Sequence, residues 1–170
     1  MSESYADDAP ATASAGFLIA AAGSVVAVIL LILALSYNSG KSARIASLYA
    51  SLAAPANQAL PAEVNAYNRD QRTNLAAAKA DLAKLIKTST SFDASIIAVK
   101  LPHAASDAAA RLVNADLARI KLFRQQEKST TLRQLRSFNR RDQAANAAVA
   151  AQAQQTRAAL GLPPTSGQLY

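Results

Sequence analysis

The chain's single histidine, His103, stands four residues before Asp107. On a helix that spacing puts an imidazole and a carboxylate on one face within reach of each other. Such a pair could start a metal site or a general-base arrangement. Either needs convergent partners, and His-x-x-x-Asp offers at most two ligands. The expectation is a partly exposed pair near a helix N-terminus. Cysteine is absent, which removes thiolate nucleophiles, Cys-ligated metals and disulfides. Of five glycines, Gly16 and Gly23 lie in an apolar run, and no Gly-rich phosphate loop can be assembled from the rest. The remaining chemistry is carboxylate. Glu63, Asp70, Asp81, Asp93, Asp107, Asp116, Glu127 and Asp142 are outnumbered by Lys and Arg and are expected mostly in surface ion pairs. Asp70 has Arg69 beside it, and Asp142 has Arg141. No catalytic residue, cofactor site or metal site is assigned, and the chain is not read as an enzyme.

Positive charge is the second chemical theme. All 18 Lys and Arg lie at or after Lys41, against the eight acids just named, so this part carries a net +10. A surface so biased attracts anionic lipid, acidic polymers or nucleic acid. The densest stretch holds Arg119, Lys121, Arg124, Lys128, Arg133, Arg136, Arg140 and Arg141 against Glu127 alone. These eight are the candidate polyanion contacts. At about 100° per residue they spread around a helix and form no single stripe, and the default reading is a solvated basic face. Phe123 and Phe138 are interleaved, and both are expected in a core, not stacked on bases.

These residues must be positioned by helices. The chain is Ala-rich, without Trp and with 5% aromatic residues, and alternating β-branched strand patterns are almost lacking. After an Asn38-Ser39-Gly40 break signal, Ile45, Leu48, Tyr49 and Leu52 fall at helical spacing before Pro55, giving a juxtamembrane helix and linker over 38–60. Pro61 and Glu63 suit a first helical turn. Leu75, Ala78, Leu82, Leu85, Ile86, Phe92, Ile96 and Val99 then predict one long helix to Lys100, loosened at Thr88-Ser89-Thr90-Ser91 and stopped by Pro102. A helix from His103 to Lys128 turns Val113, Leu117 and Ile120 inward. Thr131 and Gln134 match a capping box. The last helix carries Leu135, Phe138, Ala145, Val149 and Leu160 and closes on Gly161, with Leu162 folding back and Pro163-Pro164 forbidding continuation. The expectation is an all-α fold, with an up-and-down three- or four-helix bundle over 61–164 and a tail over 165–170.

The N-terminal part reads differently. Residues 1–15 are polar and Ala/Ser-rich, a disordered tail by composition. Gly16–Tyr37, GFLIAAAGSVVAVILLILALSY, is a run of 22 residues without a charge. About 20 apolar helical residues cross the hydrocarbon core, so the run is long enough to span a bilayer. A signal peptide would have a basic leader and a shorter apolar core, and no Lys or Arg precedes Lys41. Gly16, Ala20 and Ser24 recur every four residues, a small-residue row on which a second transmembrane helix could pack. Glu3, Asp7 and Asp8 precede the run while Lys41 and Arg44 follow it, so the charge rule would keep the C-terminal part in the cytoplasm.

Phe92-Asp93, Lys100-Leu101-Pro102, Phe138, Asp142 and the ending Arg157-Ala158-Ala159-Leu160-Gly161-Leu162-Pro163-Pro164 together resemble a class of uncharacterised actinobacterial proteins. Those proteins combine an N-terminal membrane or lipid anchor, an Ala-rich extracytoplasmic helical domain and an Arg…LGLPP-type ending. The resemblance covers 66–164, and the chain departs from the lipid-anchored members in having no cysteine to lipidate. It implies a bundle outside the cytoplasm, against the charge rule, and no activity. The expectation is a single-pass, membrane-anchored helical interaction or structural module, an accessory subunit of a membrane or envelope complex. Its partners would be the bilayer, another membrane or envelope protein, and a second copy of itself. The alternative is a cytoplasm-facing tethered domain whose basic surface binds anionic lipid or nucleic acid.

Overall fold

A computed structural model describes the backbone of 15–164 and of Tyr170, with side chains from Gly40 onward. The described residues are all-α. The helices are α1 (Ala15–Asp70), α2 (Leu75–Ile97), α3 (His103–Gln126), the single-turn α4 (Leu132–Arg136) and α5 (Asn139–Ala159). The chain divides into two compact units, Met1–Lys41 and Ser42–Tyr170. Side chains of the uncharged run Gly16–Tyr37, with Gly16, Ala20 and Ser24, lie outside the described residues. Among the described residues no helix is long and apolar enough to cross a membrane.

The unit from Ser42 onward is a helical bundle. It starts about twenty residues earlier than the prolines suggest, because α1 runs through both Pro55 and Pro61. Each proline removes one N–H from the helical ladder. Burial compensates: Ala46, Tyr49, Ala53, Ala56, Leu60 and Tyr67 recur at steps of three, four and seven and all lie in the core. The 38–60 stretch is therefore helix throughout, and its second half is bundle. The single helix expected over 61–100 is two. α1 ends at Asp70, and Asn74 caps α2 by accepting from the Ala77 N–H at 3.0 Å. That short polar side chain satisfies a donor the new helix would otherwise leave exposed. Thr88–Ser91 stays helical, with Ser89 fully buried.

Packing follows the small residues. α3 packs on α5 and on α2, with Ala105, Ala108 and Ala109 on α3 and Val149 and Ala153 on α5 buried. Tyr49 meets Phe92 and Glu63 meets Thr88, so α2 runs antiparallel to α1. Gln126 meets Asp142 and Arg119 meets Asn146, so α5 runs antiparallel to α3. Leu117, expected inward, is 51% exposed. Val113 and Ile120 are buried as expected, and the inward face of α3 also carries Ala105, Ala109, Leu112, Asp116, Arg119 and Phe123. A charged residue holds the position that apolar periodicity had assigned to Leu117.

The ends of the last two helices follow local chemistry. Thr131 Oγ1 accepts from the Gln134 N–H at 3.1 Å, and Gln134 Oε1 accepts from the Thr130 N–H at 2.9 Å. The reciprocal bond thus falls one residue before the cap. α4 stops after one turn, and α5 starts at Asn139. Gly161 takes φ +70°, its N–H donates to Ala158 O, and the Leu162 N–H donates to Arg157 O. This is the full Schellman pair of bonds, which needs a residue at ease in the left-handed region. Arg157 Nε adds a bond to Pro163 O at 3.0 Å. The Arg…LGLPP ending is thereby a helix-stopping device with its own arginine clasp.

Candidate functional site

Two groups of residues could do chemistry in the bundle: an exposed basic end and a buried polar centre. Of the eight basic candidates, Lys121, Arg124, Lys128, Arg133, Arg136, Arg140 and Arg141 are exposed. They come from the last turns of α3, the connection after it, α4 and the first turn of α5. Tyr67 of α1 donates to Gln126 of α3 at 2.6 Å, so the α1–α2 turn with exposed Arg72 shares this end of the bundle. The sequence-distant charges therefore converge by topology, although no single helix displays them as a stripe. Arg141 lies over the Phe138 ring at 4.2 Å. Arg141 makes no ion pair with Asp142 within 4.0 Å, contrary to the expectation from their adjacency, although its charge still lowers the Asp142 carboxyl.

Arg119 does not belong to this surface. It is 2% exposed, and its Nη2 lies 2.6 Å from Asp116 Oδ1, 2.8 Å from Ser89 Oγ and 2.6 Å from the Tyr170 hydroxyl. Tyr170 donates to Asp116 Oδ2. Arg119 Nη1 reaches Asn146 Oδ1 at 3.4 Å. A charge taken out of water is tolerable only when paired and hydrogen-bonded. This cluster supplies the ion pair and hydrogen bonds through Nη1 and Nη2, while Arg119 Nε is left without a hydrogen-bond partner. Burial pushes the Asp116 carboxyl up, and the Arg119 guanidinium pulls it back down. Asp93, on α2, is 4% exposed with neither carboxyl oxygen hydrogen-bonded. Burial, then the nearby Asp116 charge, raises it to about 7, with Arg119 opposing.

A second buried chain runs from Tyr67 to Gln126 Oε1 at 2.6 Å and from Gln126 Nε2 to Asp142 Oδ1 at 2.5 Å. Burial raises Asp142 to about 6, opposed by the Gln126 bond and Arg141. Asp81 is buried too, paired with Lys84 at 2.9 Å. The expectation that the acids form surface ion pairs holds for Asp70, which meets Arg69 at 2.7 Å. It fails for Asp93, Asp116 and Asp142, which are buried in the bundle.

His103 Nδ1 and Asp107 Oδ2 are 3.3 Å apart, with side chains 92% and 61% exposed. Among the described residues no group of three His, Asp or Glu could hold a metal ion. Tyr170, assigned to a tail by sequence, is fully buried. Nothing local in the sequence marks it, since its partners Asn57, Ser89, Phe92, Asp116 and Arg119 come from three helices. No protein-family model, no curated protein and no solved structure matches this chain.

Proposed function

We infer that the protein is a single-pass membrane-anchored module whose up-and-down helical bundle serves interaction or structure, as an accessory subunit of a membrane or envelope complex. The observation that carries this is the uncharged run Gly16–Tyr37, long enough to cross the hydrocarbon core. The bundle supports it: the charges of Asp116 and Arg119 are spent on each other in the interior, within α3, where Arg119 also bonds Ser89 of α2 and Asn146 of α5 and meets almost no solvent. The resemblance of the Arg157–Pro164 ending to anchored extracytoplasmic proteins favours the outer face. Partners of this reading are the bilayer and a second membrane or envelope protein, with self-association through Gly16, Ala20 and Ser24 as one mode.

Because the chain has no cysteine, a single Ser137→Cys at an exposed position reports the side of the membrane. Labelling by an impermeant maleimide in intact cells is expected. Labelling only after lysis would reverse the orientation.

One observation favours a second reading, a cytoplasm-facing domain that binds anionic lipid or nucleic acid. Arg140 and Arg141 occupy the first turn of α5, where the helix dipole disfavours cations by about 0.3–1 kcal/mol each. A basic end kept at that cost suits a polyanion. Its signature is binding to anionic vesicles or nucleic acid that falls steeply with salt and flattens when Arg133, Arg136, Arg140 and Arg141 become Gln. Salt-insensitive binding removes it.

A further inference from the structure

Tyr170 is held through its ring, its hydroxyl and its backbone. The ring stacks on Phe92 with centroids 3.8 Å apart and planes at 23°, and Tyr49 meets the other edge of Phe92 at 6.5 Å and 82°. The Arg119 guanidinium lies 5.7 Å from the Tyr170 ring centroid. The hydroxyl donates to Asp116 and accepts from Arg119, with Ser89 Oγ 3.4 Å away. A phenylalanine ring would fill the same space but leave a buried carboxylate and guanidinium each short of a partner. A site built to bond a hydroxyl rejects the analogue that lacks it.

The backbone is read as well. Asn57 Nδ2 donates to Tyr170 O at 2.9 Å, and the Tyr170 N–H donates to Asn57 Oδ1 at 3.0 Å. A helical protein has no free strand edge with which to pair a peptide. A side-chain amide offering donor and acceptor together does the same for one residue. We propose that this seat is a peptide-reading site for tyrosine, filled in cis by Tyr170 and able to take a tyrosine-bearing peptide of a partner in its place. The aromatic floor and the Asp116–Arg119 pair select the phenol, and Asn57 selects a peptide over a free phenol. This goes beyond the tethered-module reading, since the site is complete within the bundle whichever side of a membrane it faces.

The test uses the full chain in detergent micelles with Tyr170→Ala, and as probes the peptides acetyl-Gly-Gln-Leu-Tyr-amide and acetyl-Gly-Gln-Leu-Phe-amide. The tyrosine peptide should bind the variant at least about tenfold more tightly than the phenylalanine peptide, the ratio expected for one hydrogen bond to charged groups. It should bind wild type at least about tenfold more weakly than the variant, because tethered Tyr170 competes at an effective concentration of order mM. Adding Asn57→Leu should weaken the peptide but leave p-cresol binding unchanged. Equal binding of the two peptides, or none to a variant whose circular dichroism is still helical, overturns the proposal. If Tyr170→Ala loses its helical signal, Tyr170→Phe replaces it, since it keeps the stacked ring. The tyrosine peptide must then bind Tyr170→Phe at least about tenfold more tightly than wild type, and equal binding again overturns the proposal.

Discussion

Replacing Asp93 by Asn should stabilise the bundle at pH 8 and not at pH 4.5. Asp93 is 4% exposed, makes no hydrogen bond through either oxygen and sits near the Asp116 carboxylate and the Arg119 guanidinium. Its carboxyl rises to about 7 in the fold, against about 3.9 in an unfolded chain. The folded state therefore holds the proton more tightly, and stability is lost as pH rises from about 4 through about 7. At about 1.36 kcal/mol per pH unit, the penalty above pH 7 is at most about 4 kcal/mol. Asn carries no charge to desolvate but leaves a buried amide short of partners, which costs about 1–3 kcal/mol. The difference leaves a net gain of at most about 1–3 kcal/mol at pH 8. At pH 4.5, where Asp93 is protonated in the fold and the wild-type penalty has shrunk to about 1 kcal/mol, Asn is neutral or costs up to about 2 kcal/mol. Urea unfolding followed by circular dichroism between pH 4.5 and 8.5 reads both. A pH-independent loss of stability, or a wild type that grows more stable from pH 5 to 8, would refute the reasoning.

Arg119→Met should destabilise by about 3–5 kcal/mol by stranding Asp116, and the double variant with Asp116→Leu should recover most of that in the same urea assay. Gly161→Ala should cost about 1 kcal/mol. The space is open around it, but φ is +70°, which disfavours any L side chain. Asn74→Ala should cost about 1 kcal/mol through the lost α2 cap, with hydrogen exchange accelerated first at Ala77. Arg133→Gln, Arg136→Gln and Arg140→Gln should each change thermal stability by no more than about 0.5 kcal/mol, as exposed side chains do.

Helix identity was legible wherever local chemistry decides it. His103 starts a helix after Pro102, Thr131 and Gln134 share a cap, and Gly161 ends the last helix, all as their side chains dictate. Pro55 and Pro61 misled because a proline's local cost of about 3 kcal/mol is offset by burying Tyr49, Leu60 and Tyr67, and that burial depends on helices far along the chain. Asn74 was legible in principle, as an Asn followed by Leu-Ala-Ala-Ala, but the apolar period on both sides masked it. The polar centre could not be read. Asp93, Asp116 and Arg119 look like surface residues by type; Asp116 and Arg119 pair within α3, and Asp93 of α2 lies near that buried pair only once α2 and α3 meet. The basic end is largely legible: seven of the eight candidate residues are exposed, and Arg119 is buried because its partners, 3, 30 and 51 residues away, enclose it.

The tethering reading rests on Gly16–Tyr37, and the most direct measurement is extraction of the full chain from membranes of expressing cells. The protein is expected to sediment with membranes, to stay there through high salt and alkaline carbonate, and to be released only by detergent. Recovery in the soluble fraction, or release by carbonate, would contradict a spanning helix and with it the proposed role.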